Sequence, residues 1–402
     1  MSHSLIQIVS EETMPNLLAA MAIKPDRVVH LCTPAMADAS AALERAYGQA
    51  WVKTSVITRR LSEHPGMLEL NKAVCSLVGE MDNAVVNITG GTKLMSIGAY
   101  AAATRAQVPS VYVDTATGEF VNGLSGGDFK ALFPNGTDIA QVSRQLTVNG
   151  VATANGVERV STGKQWKAYA PLADFLLRNP RVEQKCHDVA ADLLKKEPRH
   201  FPLSQSYFKG LYAQRMTVPE DVGGLGVAAG LLEKHVDGYY PDGKWFSRFR
   251  AFDLTKGSVP PNLLFAAAEE ARWPFSFFNG NWWEIAVMRY LAEQGKFRDL
   301  RWSVDAGSRM ASSTDMEEDI LGIDNVNLLY VSCKRGGDKA KLSRVLEDVN
   351  SSARRIGGKF AHKILAVFVP LTGFQAKRLK SRGRELQIEL LDSNVVASVK
   401  AL

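Results

Sequence analysis

At 402 residues, with 46% hydrophobic and 22% charged residues, the chain carries enough apolar material for two or three domains and excludes a disordered or fibrous protein. Forty-eight lysines and arginines against 42 acids leave a net charge of +6, and the excess is local: residues 334–385 hold fourteen bases and four acids, a stretch suited to meeting a phosphate backbone. No apolar run approaches the roughly 18 residues of a helical membrane span, which excludes an integral membrane protein of that kind.

The first residues, Met1–Thr13, show no basic region ahead of a long apolar stretch, so no secretion signal is expected. Short apolar runs at Leu5–Val9, Val28–Leu31, Ser55–Thr58, Ala84–Ile88 and Val111–Val113 read as strands, with amphipathic or Ala-rich helices between them, such as Ala35–Tyr47 and Leu94–Arg105. Fully apolar strands alternating with helices predict a parallel sheet covered on both faces. Ligands of such sheets bind beyond the carboxyl ends of the strands, near helix N-termini. Two turns there stand out. In Ser10–Asn16, Thr13 is expected to cap a helix and Pro15 fits its first turn. In Thr89-Gly90-Gly91-Thr92-Lys93, two glycines permit close approach of backbone to ligand, while hydroxyls, free amides and an ammonium offer donors to an anion. This is neither a Walker P-loop nor a GxGxxG fingerprint. A tight strand-to-helix turn with an exposed lysine is the alternative.

The strings VSEETMPN and NITGGTKLMSIGAY together resemble the CRISPR-associated Rossmann-fold (CARF) domain of CARF–nuclease effectors, over residues 1–140. The resemblance implies a homodimer whose two sheets hold a cyclic oligoadenylate, most often the cyclic tetra-adenylate made by type III CRISPR complexes. By position, Ser10 and Thr13, with Thr89, Gly90, Gly91, Thr92 and Lys93, would line that ligand. A ring of phosphodiesters needs neutral donors, helix N-termini and a few cations, which two-fold symmetry supplies twice.

Residues 141–275 are less informative. Helices are expected at Pro171–Arg178 and Val182–Lys196, and the region reads as a linker, a winged-helix-like module or an elaboration of the C-terminal third. The string Lys244–Arg250 (KWFSRFR) interleaves aromatics with bases; it suits stacking on unpaired nucleotides, or a strand with one buried aromatic face. His187, His200 and His235 have no motif around them.

Over residues 276–402 the pattern changes. A helix is expected over Asn281–Leu291, then strands at Leu300–Val304, Glu318–Ile323 and Leu328–Cys333, a basic amphipathic helix over Lys341–Arg355, and a strand at Ile364–Val369. This α-β-β-β-α-β order, with GNWWE, EEDILGI and VSCKRG, resembles the PD-(D/E)XK restriction-endonuclease-like core. The resemblance assigns Glu284 as the helix acid, Asp319 as the strand acid and Lys334 as the lysine of the final motif. Phosphodiester cleavage would use a divalent metal, Mg2+ or Mn2+, held by carboxylates, and Lys334 would steady the attacking water or the charge on the phosphate. The pattern expects an acid two residues before the lysine, where this chain has Ser332. The metal would then rest on Glu284, Asp319 and the backbone carbonyl at Cys333, or Glu318 or Asp324 would substitute.

The expected function is a metal-dependent nuclease activated by cyclic tetra-adenylate, cutting single-stranded or nicked DNA or RNA in antiviral defence. Two alternatives stand beside it. One is a cyclic-oligoadenylate-sensing regulator with a degenerate nuclease domain; the other degrades the signal itself at the N-terminal pocket. Lys339, Lys341, Arg344, Arg354, Arg355, Lys359 and Lys363 are expected to hold the nucleic-acid backbone. The four cysteines, Cys32, Cys75, Cys186 and Cys333, are widely spaced with no CxxC pair, so no zinc or disulfide framework and a cytoplasmic setting are expected.

Overall fold

Strands that are apolar on both sides need cover on both faces, and the first half of the chain supplies it. In the computed structural model, which describes residues 3–50, 52–115, 117–123, 132–133, 138–195, 205–251, 261–307, 316–336 and 339–398, the chain runs β1 (Ser4–Ile8), α1 (Met14–Ile23), β2 (Arg27–Cys32), α2 (Ala37–Gln49), β3 (Ser55–Arg60), α3 (Met67–Glu80), β4 (Ala84–Asn87), α4 (Lys93–Ala106), β5 (Ser110–Asp114) and β6 (Glu119–Asn122). These strands form one sheet in the order β3-β2-β1-β4-β5-β6, parallel except for β6. Leu5, Val28, Val85 and Val111 pack against α1 and α2. Ile6, Ile8, Val29 and Val86 face α3 and α4. Side chains alternate along each strand, so consecutive apolar residues feed both layers at once.

The rest of the chain adds α5 (Ile139–Ser143), α6 (Val148–Ala154), β7 (Arg159–Val160), α7 (Ala170–Arg178), α8 (Pro180–Lys195), α9 (Gln205–Tyr212), α10 (Glu220–Ala228), β8 (Leu232–His235), β9 (Gly238–Pro241), α11 (Lys244–Ala251) and α12 (Pro261–Ser276). Then come α13 (Trp282–Glu293), β10 (Phe297–Gly307), β11 (Met316–Asp324), β12 (Asn327–Lys334), α14 (Lys339–Gly357), β13 (His362–Val367), α15 (Gly373–Glu385), β14 (Ile388–Asp392) and α16 (Ser393–Val396). A second sheet has the order β14-β13-β12-β11-β10-β7. β10, β11 and β12 are an antiparallel meander, whereas β12, β13 and β14 are parallel. α14 and α15 cover one face through Leu342, Leu346, Val349 and Leu379. The other face packs on α13 and on α7, α8 and α10 from the middle of the chain.

The middle region therefore shares a core with the second sheet, and its β7 pairs with β10 at the sheet edge. KWFSRFR forms the helix α11, not a strand. Asp242 starts it by accepting from the Lys244 amide at 3.0 Å, and Phe246 is buried against the rings of Phe208 and Tyr212.

The two sheets meet through α6, a run of small residues packed on α2, on β11 and β12, and on α14. One apolar cluster is continuous from Leu17 and Leu43 through Val148 and Val151 to Leu321, Leu328 and Leu346. Arg298 crosses the same junction, donating to the carbonyls of Ser143 and Asn325 at 2.7 Å. Among the described residues, no helix is long and apolar enough to cross a membrane.

Candidate functional site

The two N-terminal turns come directly after β1 and β4, which are neighbours in the first sheet, so the fold brings them together. A web of amides fastens them. Asn16 donates to the Ile8 carbonyl at 3.0 Å, Asn87 donates to Asn16 at 3.4 Å, and the Asn87 carbonyl oxygen accepts from both the amide and the hydroxyl of Thr89. The Thr89 hydroxyl also accepts from the Val113 amide at 2.8 Å, so it is committed to the turn. Gly90 lies so close to β1 that an added Cβ would stand 2.1 Å from the Ile8 carbonyl oxygen. Gly91 has φ +82°, where a side chain is strained. Thr92 caps α4 by accepting from the Met95 amide at 3.3 Å. This leaves Gly91, Thr92 and Lys93 exposed at the N-terminal end of a fourteen-residue helix, the place where an anion is favoured.

Thr13 behaves differently from expectation. It stands at the start of α1, but its side chain makes no capping bond; it is buried, and among the described residues its hydroxyl has no hydrogen-bond partner. Its φ and ψ of −80° and −23° are already helical, which turns the hydroxyl away from the free amides. Ser10 donates to the Glu12 carbonyl at 3.3 Å. Asn16 and Asn87, which organise both turns, carry no sequence signal beyond their position next to the motifs.

In the second unit, Glu284 projects from the first turn of α13, Asp319 from β11, and Lys334 from the last residue of β12. The Asp319 carboxylate accepts from the Cys333 amide at 2.6 Å and the Ser332 hydroxyl at 3.2 Å, with the Lys334 ammonium at 3.7 Å. The indole of Trp302 donates to Glu284 at 2.8 Å. Burial first, and then the nearby charge of Asp319, push the Glu284 carboxyl up to about 8. The three side chains assigned by sequence order thus converge on one locality.

A bend in the strands lets them do so. Trp302 packs in the core on the α13 face, but Val304, two residues on, packs in the core on the α14 face. A regular strand would put both on one side. The strand turns over at Ser303, a buried non-glycine residue with φ +52°. The partner strand turns over beside it: Glu318 pairs with Arg355 of α14, whereas Ile320 lies in the α13 core. Asp319 sits between the two.

The acids considered as substitutes for the missing one are committed elsewhere. Glu318 accepts from Tyr330 at 2.7 Å and Arg355 at 2.9 Å, and burial raises its pKa despite both. Asp324 is bonded to His362 at 2.6 Å. The Cys333 thiol is buried and held well above its ordinary pKa by that burial and by the charges of Asp319 and Glu284, so a thiolate ligand is disfavoured. Among the described residues, no group of three or more His, Cys, Asp or Glu side chains is arranged around one metal position. Two carboxylates remain. That set fits Mg2+ or Mn2+, hard ions that keep several waters and take further oxygens from substrate phosphate. Among the basic residues, Arg355 is taken by Glu318, Lys359 pairs with Glu12 at 3.2 Å, and Lys363 is buried against Asn350 and the Leu386 carbonyl. Of these three only Lys363 is held inside the fold; Arg355 and Lys359 are exposed despite their partners, as are Arg344 and Arg354. The side chains of Lys339 and Lys341 lie outside the described residues.

Comparison with known proteins gives a consistent account of the first unit. Residues 4–128 match the family model described as the Card1 CARF domain. No curated protein matches the sequence. Among solved structures, the chain is similar to Can2 from Sulfobacillus thermosulfidooxidans in complex with cyclic tetra-adenylate, with TM-score 0.68 and 18% identity over 98% of this chain and 97% of that one. It is similar to protein VC1899 from Vibrio cholerae, with TM-score 0.69 and 14% identity over 98% and 95%. It also resembles a type III CRISPR defence DNA nuclease activated by cyclic oligoadenylate, with TM-score 0.52 and 16% identity over 91% of this chain and 45% of that one. The first two likenesses run through both units, so the whole two-sheet architecture is shared.

Proposed function

We propose that this chain is a metal-dependent nuclease switched on by a cyclic oligoadenylate in type III CRISPR defence. The observation that carries the reading is the convergence of Glu284, Asp319 and Lys334 on the second sheet, in a chain whose first unit matches the Card1 CARF domain. A structural relative spanning nearly the whole chain is in complex with cyclic tetra-adenylate, which supports that compound as the activator.

The activator's phosphates would meet the exposed amides and Lys93 at the N-terminus of α4. Beside them, Met67, Leu68, Leu94, Ile97 and Tyr100 form an exposed apolar face on α3 and α4. A second copy docked there would bury that face and set two ligand turns opposite each other. In the second unit, Glu284 and Asp319 would hold Mg2+ or Mn2+, which when bound polarises the scissile phosphate and lowers the pKa of a water. The protein's own part is orientation. Trp302 fixes Glu284, the Cys333 amide and the Ser332 hydroxyl fix Asp319, and Lys334 offers its ammonium to a phosphate oxygen as negative charge develops. For a switch, the activator must bind the active arrangement more tightly than the resting one; about 5.5 kcal/mol of difference moves a population from 1:99 to 99:1.

The test uses the purified chain with fluorogenic DNA and RNA, with Mg2+ or Mn2+, and with or without cyclic tetra-adenylate. Cleavage that needs both metal and activator is expected; equal cleavage without activator removes the switch. One observation favours a second reading, a sensor that grips nucleic acid without cutting it: Ser332 gives a hydroxyl where the nuclease pattern has a carboxylate. Under that reading Asp319→Asn leaves nucleic-acid binding intact and no variant loses cleavage, because the parent has none.

A further inference from the structure

We propose that Glu183, a residue of the middle region, is a positioning residue for the Glu284–Lys334 pair; the inference rests on the nuclease reading. Glu183 lies on α8 and is 1% exposed. Its Oε1 accepts from the Trp282 indole at 3.1 Å and from Arg335 Nε at 2.7 Å, and its Oε2 accepts from Arg335 Nη2 at 3.0 Å. Trp282 stands two residues before Glu284 at the start of α13, and Arg335 is the next residue after Lys334 at the end of β12. One buried carboxylate therefore clasps both elements that carry the candidate chemistry. Trp282 is fully buried and edge-on to Phe368, with ring centroids 4.9 Å apart, so its indole has little freedom to move.

Charge points the same way as geometry. Burying an Arg–carboxylate pair is costly, and apolar residues of similar size commonly fill such a place with equal or better stability. What the pair provides that apolar packing does not is direction: a guanidinium fork on a carboxylate has a fixed geometry. It sets the path of the chain at Arg335 and hence where the Lys334 side chain leaves the strand. The Trp282 bond likewise sets the rotation of α13, and so the aim of Glu284. Supporting partners one step removed from a metal site change affinity or rate by about 10- to 100-fold when lost.

The test compares the full chain with Glu183→Gln, Arg335→Lys and Trp282→Phe, using Mn2+, cyclic tetra-adenylate and a fluorogenic single strand. Glu183→Gln is expected to lower kcat by about tenfold or more and to raise the Mn2+ concentration for half-maximal rate, with KM for the substrate little changed. Arg335→Lys keeps the charge but loses the two-pronged fork, so it should lower the rate nearly as far as Glu183→Gln; Trp282→Phe, which removes a single bond to Glu183, should lower it less. Mn2+ titration followed by intrinsic tryptophan fluorescence reads the site without turnover, and thermal melting separates loss of fold from loss of aim. Wild-type kcat and Mn2+ response in Glu183→Gln, with only the melting temperature lowered, overturns the inference and leaves the nuclease reading intact. A parent chain inactive under every condition overturns the nuclease reading, and unchanged Mn2+ binding in the variant then overturns the inference as well.

Discussion

The turns after β1 and β4 in the first sheet and the acid cluster of the second are built in opposite ways. The turns use backbone, glycine and short side chains within a few residues of one another, fastened by Asn16, Asn87 and Thr89. The acid cluster draws Glu284, Trp302, Asp319 and Lys334 from α13, β10, β11 and β12, with Glu183 of the distant α8 bonded to the neighbours Trp282 and Arg335. Local construction leaves a readable string in the sequence, whereas distributed construction leaves single residues that mean little until the fold assembles them.

The contrast breaks most clearly at the acids. Glu284→Gln or Asp319→Asn should reduce activated cleavage by about 100- to 1,000-fold, the scale of losing one main stabilising group, while calorimetric binding of cyclic tetra-adenylate stays unchanged. Loss of activator binding in those variants would mean the two sites are not separate. Gly90→Ala is the converse. An added Cβ would meet the Ile8 carbonyl, so the turn must shift; we expect destabilisation of about 1–3 kcal/mol in denaturant unfolding and loss of activator binding. Activated cleavage should be lost with it, while Mn2+ binding in the second unit, read by tryptophan fluorescence, should remain.

The long-range supports of the second sheet give smaller effects. Arg355→Gln leaves the buried Glu318 without its cationic partner, and a cost of about 1–3 kcal/mol is expected. Arg354→Gln, at an exposed neighbour, should change stability by less than about 0.5 kcal/mol. Unfolding free energies of the two variants decide whether α14 acts as a strut for β11. A further effect is in pH dependence. Hydrogen bonds to Asp324 and then Glu389 raise His362 to about 9, against an ordinary value near 6.5. Its stabilising contribution is therefore complete below pH 6.5 and is lost as pH rises through about 9. His362→Gln should flatten the slope of melting temperature against pH in that window; an unchanged slope would assign it to other groups.

Much of the architecture was legible in the residues alone. Apolar runs located β1 to β5: β1, β2 and β4 are buried on both faces and cannot hide their composition, whereas the edge strand β3 is largely exposed and showed only through Val56 and Ile57. The order from α13 to β13 was readable from periodicity, whereas Asp319 and Lys334 were singled out by the resemblance of EEDILGI and VSCKRG to a nuclease core. Other features were not. The turn-over at Ser303 depends on a backbone angle that no residue type announces. Glu183 reads as an ordinary helix carboxylate until Arg335 and Trp282 arrive beside it. Thr13 has the right type and place for a cap, yet its backbone is already helical. The basic run looked uniform, but Arg355 reaches the buried Glu318, Lys359 meets Glu12 at the surface, and Lys363 is buried against Asn350.

The small-residue helix α6 has a consequence for how the molecule comes apart. Because α2, α6, β11, β12 and α14 contribute to one unbroken apolar cluster, neither sheet can lose its structure without stripping cover from the other. Heating should accordingly give one cooperative transition rather than two. A fragment cut after the first sheet would present the bare flank of α2 to water and would need some other surface to hide it.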